Sequence, residues 1–362
     1  MSRDFRAFPT STTKTFRIAV VFLILPHLGN VDGGQCSNSI QEDNDRKPRL
    51  IAVTEPVQHG EGPHWDAHNQ LLYFVDISGN TVHRLNPSTN MHSAITLNDS
   101  VSFVIPIRGR VNQFIIGLGR SLAVLHWDGF SPTFQVFVKE SVDNDRPNNR
   151  FNDAKADPWG RLWTGTMGEE KPIGNVQLNQ GRLYRWSMVK CRLEPQLSPV
   201  SISNGIAWTN DMKFMYYADS PTRRIDAFDY DGRSIRNRRI IFDFIINNVP
   251  GNPDGMTIDR WNMLWIACWG GSRVIQVDPQ RSQLLKTILM PVERVTSVTF
   301  GGALLDILYV TSMRTGLNET QLKSQPMAGT TFAVTNLGTR GTINNPAQFY
   351  CVHRKRLKHY SG

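Results

Sequence analysis

After its first 34 residues, the chain has no segment of 12 or more residues with convincing helical periodicity. It also has no Gly-x-Ser-x-Gly elbow, no His-Glu-x-x-His sequence and no glycine-rich phosphate loop. These absences argue against a serine hydrolase and against a nucleotide enzyme. Only 20% of the residues are charged and 40% are hydrophobic, so the chain is too apolar for a disordered protein. We therefore expect a globular, all-β protein.

The folded body has little excess of positive charge, although the whole chain carries +9 at pH 7. Nine basic residues lie near the two ends of the chain: Arg3, Arg6, Lys14, Arg17, Arg340, Arg354, Lys355, Arg356 and Lys358. Without them the middle of the chain is close to neutral, and a basic groove for nucleic acid is not expected. The basic tail is placed at residues 342–362.

The chain also lacks an apolar run long enough for a stable membrane span. The longest run, Ile18–Leu25, has eight residues and follows a basic start. This pattern is typical of a secretory signal peptide. We expect a signal peptide over residues 1–34, an extension over residues 35–50, and a secreted protein. A mitochondrial presequence, an uncleaved anchor or a cytoplasmic protein are the alternatives if residues 1–34 are not a signal peptide.

Cysteines are few, and the four present allow three pairings into two disulfides. Cys36 and Cys351 lie outside the repeats at opposite ends of the chain, where a closed fold brings its termini together. We therefore expect these two to form a disulfide. Cys268 lies in an apolar predicted strand and is expected to be buried, and Cys191 is expected to be a free surface thiol.

Six short apolar strands recur at intervals of 42, 48, 53, 49 and 44 residues. Such a period is typical of four-stranded propeller blades around an axis. We predict a six-bladed β-propeller over residues 51–341, with these strands as the inner strands of the blades. The strand cores are Leu72–Val75, Phe114–Gly117, Leu162–Gly165, Met215–Ala218, Leu264–Ala267 and Leu308–Thr311.

Oxygen-bearing side chains precede four of these strands by 10 or 11 residues: Glu61, Asn152, Asn204 and Asp254. Equivalent positions of a radial repeat lie at the same height, so we expect these side chains to meet at one mouth of the channel. An oxygen-only set with two carboxylates suits calcium, magnesium or manganese better than zinc or copper. The alternative is that each one is a turn residue.

Two further residues are candidates for ligand binding. Arg150 stands two positions before Asn152, so the two side chains face the same way on an extended segment. Its guanidinium can fork onto a hydroxyl-rich or anionic ligand, and Glu170 can accept hydrogen bonds from ligand hydroxyls. An ion pair between Arg150 and Glu170 at the rim is the alternative.

With these residues the chain resembles the regucalcin, gluconolactonase and luciferin-regenerating-enzyme family of six-bladed propellers. The resemblance covers roughly residues 55–340. It is carried by the segments Gly60–Trp65, Arg150–Lys155, Gly165–Glu170, Ser203–Trp208, Pro253–Met256 and Thr296–Ser297. It implies that Glu61, Asn204 and Asp254 bind one divalent cation, with calcium favoured and zinc, magnesium or manganese as alternatives. It also implies that Arg150, Asn152 and Glu170 hold a sugar lactone. Ala154 stands where the family usually has glycine.

The function predicted on this basis is metal-dependent hydrolysis of a sugar lactone, with the cation polarising the lactone carbonyl and Asp254 as the general base. His59 is the alternative base. Two non-enzymatic alternatives stay open: a secreted calcium-binding or ligand-binding propeller that has lost catalysis, and a protein-binding propeller of the extracellular receptor type. The sequence carries no signal for the oligomeric state.

Overall fold

The computed structural model describes residues 47–352, which form 24 β-strands, a 3-10 turn at Ser220–Thr222 and one short α-helix, α1 (Glu319–Ser324). The strands are arranged in six antiparallel sheets of four strands each. This confirms the predicted all-β, six-bladed β-propeller. Within residues 47–352, none of the helical segments could span a lipid bilayer.

Each of the first five blades is built from four consecutive strands. Blade 1 comprises β2 (Gly60–Asp66), β3 (Leu71–Asp76), β4 (Thr81–Asn86) and β5 (Met91–Thr96). Blade 2 comprises β6 (Val101–Pro106), β7 (Gln113–Leu118), β8 (Ser121–His126) and β9 (Gln135–Ser141). Blade 3 comprises β10 (Arg150–Ala156), β11 (Leu162–Met167), β12 (Gly181–Ser187) and β13 (Arg192–Val200). Blade 4 comprises β14 (Ser203–Trp208), β15 (Phe214–Asp219), β16 (Arg224–Tyr230) and β17 (Ile235–Asp243). Blade 5 comprises β18 (Asn252–Ile258), β19 (Leu264–Trp269), β20 (Arg273–Asp278) and β21 (Gln283–Leu289).

Blade 6 closes the ring by combining both ends of the described chain. It contains β22 (Val295–Gly301), β23 (Ile307–Ser312) and β24 (Phe332–Thr335), and its outermost strand is β1 (Arg49–Ala52). Arg49 pairs with Thr335 and Ala52 with Phe332. Because the first strand is hydrogen-bonded to the last, the ring cannot open without breaking this ladder.

The first strand of each blade lies at the channel, since β2, β6, β10, β14, β18 and β22 contact one another around the ring. The six strand cores found in the sequence are instead the second strands, β3, β7, β11, β15, β19 and β23. Their assignment as inner strands was therefore wrong. The second strands are the most regularly apolar because hydrophobic clusters between neighbouring blades cover them on both faces. For example, the ring centroids of Tyr73 in β3 and Phe114 in β7 are 4.9 Å apart.

Every inner strand carries a β-bulge at the same place. Two residues of the inner strand oppose one residue of its partner, as in blade 5, where Asp254 and Gly255 oppose Ala267. A bulge of this kind re-aims the side chains next to it. The channel-facing positions of all six blades are therefore distorted in the same way.

The turns at the other end of the inner strands are held by buried aspartates. Asp157 accepts hydrogen bonds from the backbone N–H groups of Trp159 and Arg161 at 2.9 and 2.8 Å. Asp259 does the same for Trp261 and Met263 at 2.9 and 3.0 Å. These bonds stabilise the tight turns at residues 157–160 and 259–262.

Residues 342–352 cross the channel at its lower end, which is the end opposite to the inner-strand bulges. Asn344 accepts hydrogen bonds from the backbone of Trp65 at 3.1 Å and from the Thr299 hydroxyl at 2.5 Å. Phe349 packs against Trp186, with ring centroids 4.3 Å apart. This segment therefore contacts blades 1, 3 and 6 and covers the lower end of the channel.

The disulfide pairing differs from the expected one. Cys351 is bonded to Cys191, and their Cα atoms are 5.3 Å apart. The prediction that Cys351 pairs with Cys36 is therefore contradicted, and so is the expectation that Cys191 is a free thiol; Cys36 itself lies outside the described residues. The physical reason is that residues 342–352 run beneath blade 3, towards the β12–β13 turn that carries Cys191. Cys268 is buried and unpaired, as expected.

Candidate functional site

A cavity of about 290 Å³ opens at the upper end of the channel, where the inner strands begin. All six residues that were predicted to bind the cation or the substrate line it: Glu61, Arg150, Asn152, Glu170, Asn204 and Asp254. The structure thus brings together side chains from blades 1, 3, 4 and 5. Their roles as ligands stay predictions.

The inner-strand bulges position these side chains. Asn152, Asn204 and Asp254 are each the first unpaired residue of their bulge, whereas Glu61 is the last paired residue before its bulge. Glu61 is thus offset by one position from its counterparts. Gly205 follows Asn204 and cannot carry a side chain, because a Cβ atom there would lie 2.6 Å from the carbonyl oxygen of Asp254. The neighbouring strands approach each other closely at the level of the site.

Two aspartates hold the backbone that leads into these strands. Asp76, at the end of β3, accepts hydrogen bonds from the backbone N–H groups of Gln58 and His59, both at 2.8 Å. Asp219, at the end of β15, accepts one from the backbone of Ile202 at 2.9 Å. We call each such set of hydrogen bonds a backbone clamp. The clamp formed by Asp76 lies just before Glu61, and the clamp formed by Asp219 lies just before Asn204.

A chain of side-chain hydrogen bonds crosses the cavity floor. Arg150 Nη1 donates to Asn152 Oδ1 at 2.8 Å, which agrees with the prediction that the two side chains face the same way. Asn152 Nδ2 donates to Asn204 Oδ1 at 3.1 Å and to the Ser203 carbonyl at 2.9 Å. Asn204 Nδ2 in turn donates to Ser220 Oγ at 2.8 Å. Both asparagine amides are therefore oriented by defined partners.

The two carboxylates of the predicted cation site are buried and repel each other. Burial is the main cause that raises the pKa of Glu61, and the negative charge of Asp153 adds to it. Burial also raises the pKa of Asp254 well above its usual range, followed by the charges of Glu61 and Asp153. Burial lowers the pKa of the Arg150 guanidinium, an effect that Glu170, Glu61 and Asp254 oppose. These interactions place the acidic groups and Arg150 in one electrostatic unit.

Buried Asp153 and half-buried Lys155 are charged residues in the channel for which the sequence analysis gave no role. Burial raises the pKa of Asp153 and lowers that of Lys155, and each charge partly offsets the effect on the other. Lys155 Nζ donates to the carbonyl oxygen of Met256 at 2.6 Å. Strict strand alternation would turn Asp153 away from the side of Asn152, but the bulge lets both face the channel. A charged pair in an otherwise buried strand was the available signal.

His59 lies between this cavity and a second one of about 520 Å³, and Arg150 and Glu170 also line both. Burial, and then the charges of Arg150 and Arg294, lower the pKa of His59 to about 3. The imidazole is therefore neutral at physiological pH. The second cavity is lined mostly by polar residues, among them Asp99, Arg120 and Asn148.

The donor set at the floor is made of oxygen atoms. Within residues 47–352, no three His, Cys, Asp or Glu side chains form a group that could hold a metal ion. The predicted set consists of two carboxylates and the amide oxygen of Asn204, and such oxygen ligands suit a hard cation. The repulsion between Glu61 and Asp254, which Arg150 offsets only in part, is the feature that a divalent cation would relieve.

A family model described as the SMP-30/Gluconolactonase/LRE-like region matches residues 59–314 of this chain. This match spans every predicted site residue. It covers blades 1 to 5 completely and extends two residues past the end of β23 in blade 6.

Similar full-length proteins point to the same family. Regucalcin from Xenopus laevis is 37% identical over 295 residues, which cover 80% of this chain and 94% of that protein. Human regucalcin is 38% identical over 291 residues, covering 80% and 94%. Among solved structures, a luciferin-regenerating enzyme superposes with a TM-score of 0.79 at 39% identity, covering 83% of this chain and 100% of the other. A calcium-binding protein, regucalcin from Agrobacterium tumefaciens, shares the fold with a TM-score of 0.72 at 23% identity, covering 82% and 96%. The chain belongs to the SMP-30/gluconolactonase/LRE family.

Proposed function

We propose that this protein is a divalent-metal-dependent hydrolase that opens lactones, with sugar lactones of the gluconolactone type as the first substrates to test. The observation that carries the proposal is the pair of buried, mutually repelling carboxylates, Glu61 and Asp254, at the floor of a 290 Å³ cavity. Relatives in the family bear the names regucalcin and luciferin-regenerating enzyme, and a solved structure that shares the fold is called a gluconolactonase.

The residues at the floor fit a hard divalent cation. Glu61, Asn204 and Asp254 would hold it through side-chain oxygens, and calcium is our first choice, with magnesium, manganese and zinc as alternatives. A cation would favour the charged form of both carboxylates and so oppose the effect of burial on their pKa values. When bound, it supplies positive charge that polarises an ester carbonyl and stabilises the developing oxyanion.

Asp254 is the proposed general base. Its carboxylate removes a proton from the attacking water while the water oxygen bonds to the carbonyl carbon of the lactone. When the acyl–oxygen bond breaks, the same proton passes to the ring oxygen, which leaves as a hydroxyl group. The product is the open hydroxy acid. The neutral His59 is a weaker candidate because its lowered pKa makes it a poor proton acceptor at neutral pH.

Arg150, Asn152 and Glu170 are the proposed substrate-positioning residues. The Nη1 atom of Arg150 is engaged with Asn152 and the Phe151 carbonyl, which fixes the guanidinium beside the floor. Its remaining N–H groups can donate to a ligand oxygen. Glu170 lies on the segment 168–180, whose backbone it contacts through the N–H group of Gly174 at 2.8 Å. That contact places Glu170 above the floor.

We also propose that the protein is secreted. The support is the leader pattern of residues 1–34 together with the Cys191–Cys351 disulfide, since such bonds persist mainly in oxidising compartments. Mass spectrometry of the protein from culture medium would give its mature N-terminus. Recovery only inside cells with Met1 retained would contradict secretion.

The proposed activity is tested by stripping the purified protein with a chelator and assaying a panel of aldonolactones, δ-valerolactone and δ-decalactone in a pH-stat with calcium, magnesium, manganese or zinc added back. We expect hydrolysis that depends on one of these ions. If no lactone is opened with any ion while calcium still binds, the protein is a calcium-binding propeller without this catalysis, and the enzymatic proposal is wrong.

A further inference from the structure

The cavity has an apolar wall above its polar floor. Met167 pairs with Arg150 and Trp269 pairs with Asn252, and both side chains line the cavity. On their inner strands, Arg150 and Asn252 lie two residues before the bulge residues that form the floor. At about 3.3 Å per residue, the wall therefore stands roughly 7 Å closer to the mouth than the floor does.

The wall is a repeated feature of the propeller. Met167, Trp269 and Met313 occupy the same position in blades 3, 5 and 6. In each blade, the last regular residue before the bulge pairs with a residue of the second strand, and the apolar residue comes directly after that partner. Each also forms an antiparallel bridge with the backbone that leads into the next inner strand. Three blades thus present a large apolar side chain at one height. Blade 1 has Asp76 at this position, where it serves as the backbone clamp.

The segment 168–180 covers the wall from above. Within this segment, Glu170 and Val176 form an antiparallel bridge. At its tip, a Cβ atom on Gly174 would lie 3.4 Å from the indole ring of Trp269, so the segment reaches the opposite side of the cavity. Val176 and Leu178 of this segment line the same cavity, and Leu178 is 54% exposed. Exposed apolar surface beside a cavity is typical of a binding site.

Several polar groups of the cavity are already used within the protein. Both N–H groups of the Asn152 amide are donated to protein oxygens, and its Oδ1 accepts from Arg150. The side-chain N–H of Asn175 is donated to the Lys171 carbonyl, and Glu170 Oε1 accepts from Gly174. Asn152 therefore has no free N–H group, and Glu170 has one oxygen fewer, for a ligand with many hydroxyl groups, and unpaired hydroxyls are costly to bury.

We propose that the preferred substrates of this site are lactones that carry an apolar alkyl or aryl substituent. The ester ring lies at the floor, and the substituent packs chiefly against Trp269, since Met167 and Met313 are only 2% and 1% exposed and back this wall from within. This inference rests on the proposed lactone hydrolysis. Hydrolysis adds one water across the acyl–oxygen bond and releases a hydroxy acid whose apolar chain leaves through the mouth. Burial of the chain favours the substituted substrate over an unsubstituted ring.

The test compares three lactones with the same six-membered ring, in the presence of calcium: δ-valerolactone, its pentyl-substituted form δ-decalactone, and glucono-δ-lactone. We expect kcat/KM for the pentyl lactone to exceed that for the unsubstituted ring by about tenfold or more. We also expect the enzyme to accelerate the hydrolysis of glucono-δ-lactone least of the three, when each rate is compared with that lactone's own uncatalysed hydrolysis in water. Equal values for the pentyl and unsubstituted rings, or a clear preference for glucono-δ-lactone, would overturn the inference while leaving lactone hydrolysis intact.

Variants locate the preference at the wall. In Trp269→Ala and in Leu178→Ser, the ratio of kcat/KM between the pentyl and unsubstituted lactones should fall several-fold, because the substituent loses part of its contact surface. Leu178 is exposed, so its replacement leaves the fold intact. Trp261→Ala is the matched control, since Trp261 is 61% exposed and does not line the cavity. A ratio unchanged in both wall variants would refute the assignment.

A binding measurement separates this inference from the proposed activity. The corresponding lactams resist hydrolysis, so titration calorimetry can compare pentyl-substituted and unsubstituted δ-lactams with the calcium-loaded protein. Tighter binding of the pentyl lactam, weakened in Trp269→Ala, supports the apolar wall even if no lactone is opened. Equal affinity of the two lactams would refute it.

Discussion

Asn152 and Asn204, 52 positions apart in the sequence, are joined at the cavity floor by a hydrogen bond of 3.1 Å from Nδ2 of the first to Oδ1 of the second. Asn204 Nδ2 is held by Ser220 Oγ at 2.8 Å. Together these bonds fix which end of the Asn204 amide carries the oxygen. A residue that the sequence suggested as a substrate ligand thus also orients a predicted cation ligand.

Replacing Asn152 should therefore weaken cation binding. In Asn152→Ala the Asn204 amide loses its orienting donor, and we expect calcium affinity to fall by about 10- to 100-fold, as for other residues that orient ligands. Calorimetry on the chelator-stripped protein measures this. Ser220→Ala is a matched variant at the other end of the same amide, with a smaller expected effect. Unchanged affinity in both variants would show that Asn204 is not a ligand.

Asp254→Asn should have opposite effects on activity and on the stability of the metal-free protein. We expect lactone hydrolysis to fall by about 10² to 10⁴-fold, because the general base is lost. In the presence of a chelator, however, the variant should unfold at the same or a higher temperature than the wild type, since it removes a buried charge and its repulsion of Glu61.

Thermal unfolding with and without calcium checks both parts of that prediction. At a calcium concentration 100 times its Kd, the wild type should gain about 2.7 kcal/mol in free energy of unfolding, and Asp254→Asn should gain less. A variant with wild-type turnover would exclude Asp254 as the base.

Removing the positive charge of Lys155, which neighbours the buried Asp153, should destabilise the fold. Lys155→Met leaves the Met256 carbonyl without its donor and Asp153 without its neighbouring positive charge. We expect a loss of about 3 kcal/mol in free energy of unfolding, measured by urea titration. The double variant Asp153→Asn/Lys155→Met should recover part of this loss. No recovery would mean that the two charges act independently.

Stability should fall as the pH is lowered because of His83. Burial, followed by the nearby His92, lowers the pKa of His83 in the folded protein to about 3, from 6.5 in the unfolded chain. Between these values the unfolded chain binds a proton that the folded protein does not, so each pH unit below 6.5 costs about 1.4 kcal/mol. At pH 5 the cost is about 2 kcal/mol.

His83→Gln should reduce the slope of unfolding free energy against pH between 6.5 and 4. Urea titrations at half-unit pH steps measure this slope. His68→Gln is the matched control because the His68 side chain is exposed. If the two variants have the same slope as the wild type, His83 is not buried in the neutral form.

The disulfide between Cys191 and Cys351 closes a loop over a sequence separation of 160 residues. Cys191→Ser/Cys351→Ser should therefore lose about 2–4 kcal/mol in free energy of unfolding, through the added entropy of the unfolded chain. Peptide mapping under non-reducing conditions should recover the two cysteines in one linked peptide pair. A peptide that links Cys351 to Cys36 would contradict the structure.

Much of the site was predictable because the repeat carries the geometry. Glu61, Asn204 and Asp254 could be grouped from their distance to the next strand, since a ring of blades converts equal positions into one height. Arg150 and Asn152 could be placed on one side by strand alternation. The bulges were not predictable, because an extra residue in an inner strand changes no composition signal; with them, Asp153 and the one-residue offset of Glu61 were missed.

The all-β fold, the number of blades and the oxygen-only character of the predicted cation site could all be inferred from the residues alone, because these features depend on local periodicity and on side-chain chemistry that recurs along the chain. The folded structure was needed to show which strands face the channel, how Cys351 is paired, and that an apolar wall stands above the polar floor. Those features depend on which distant segments come together when the ring closes, and no local pattern specifies that.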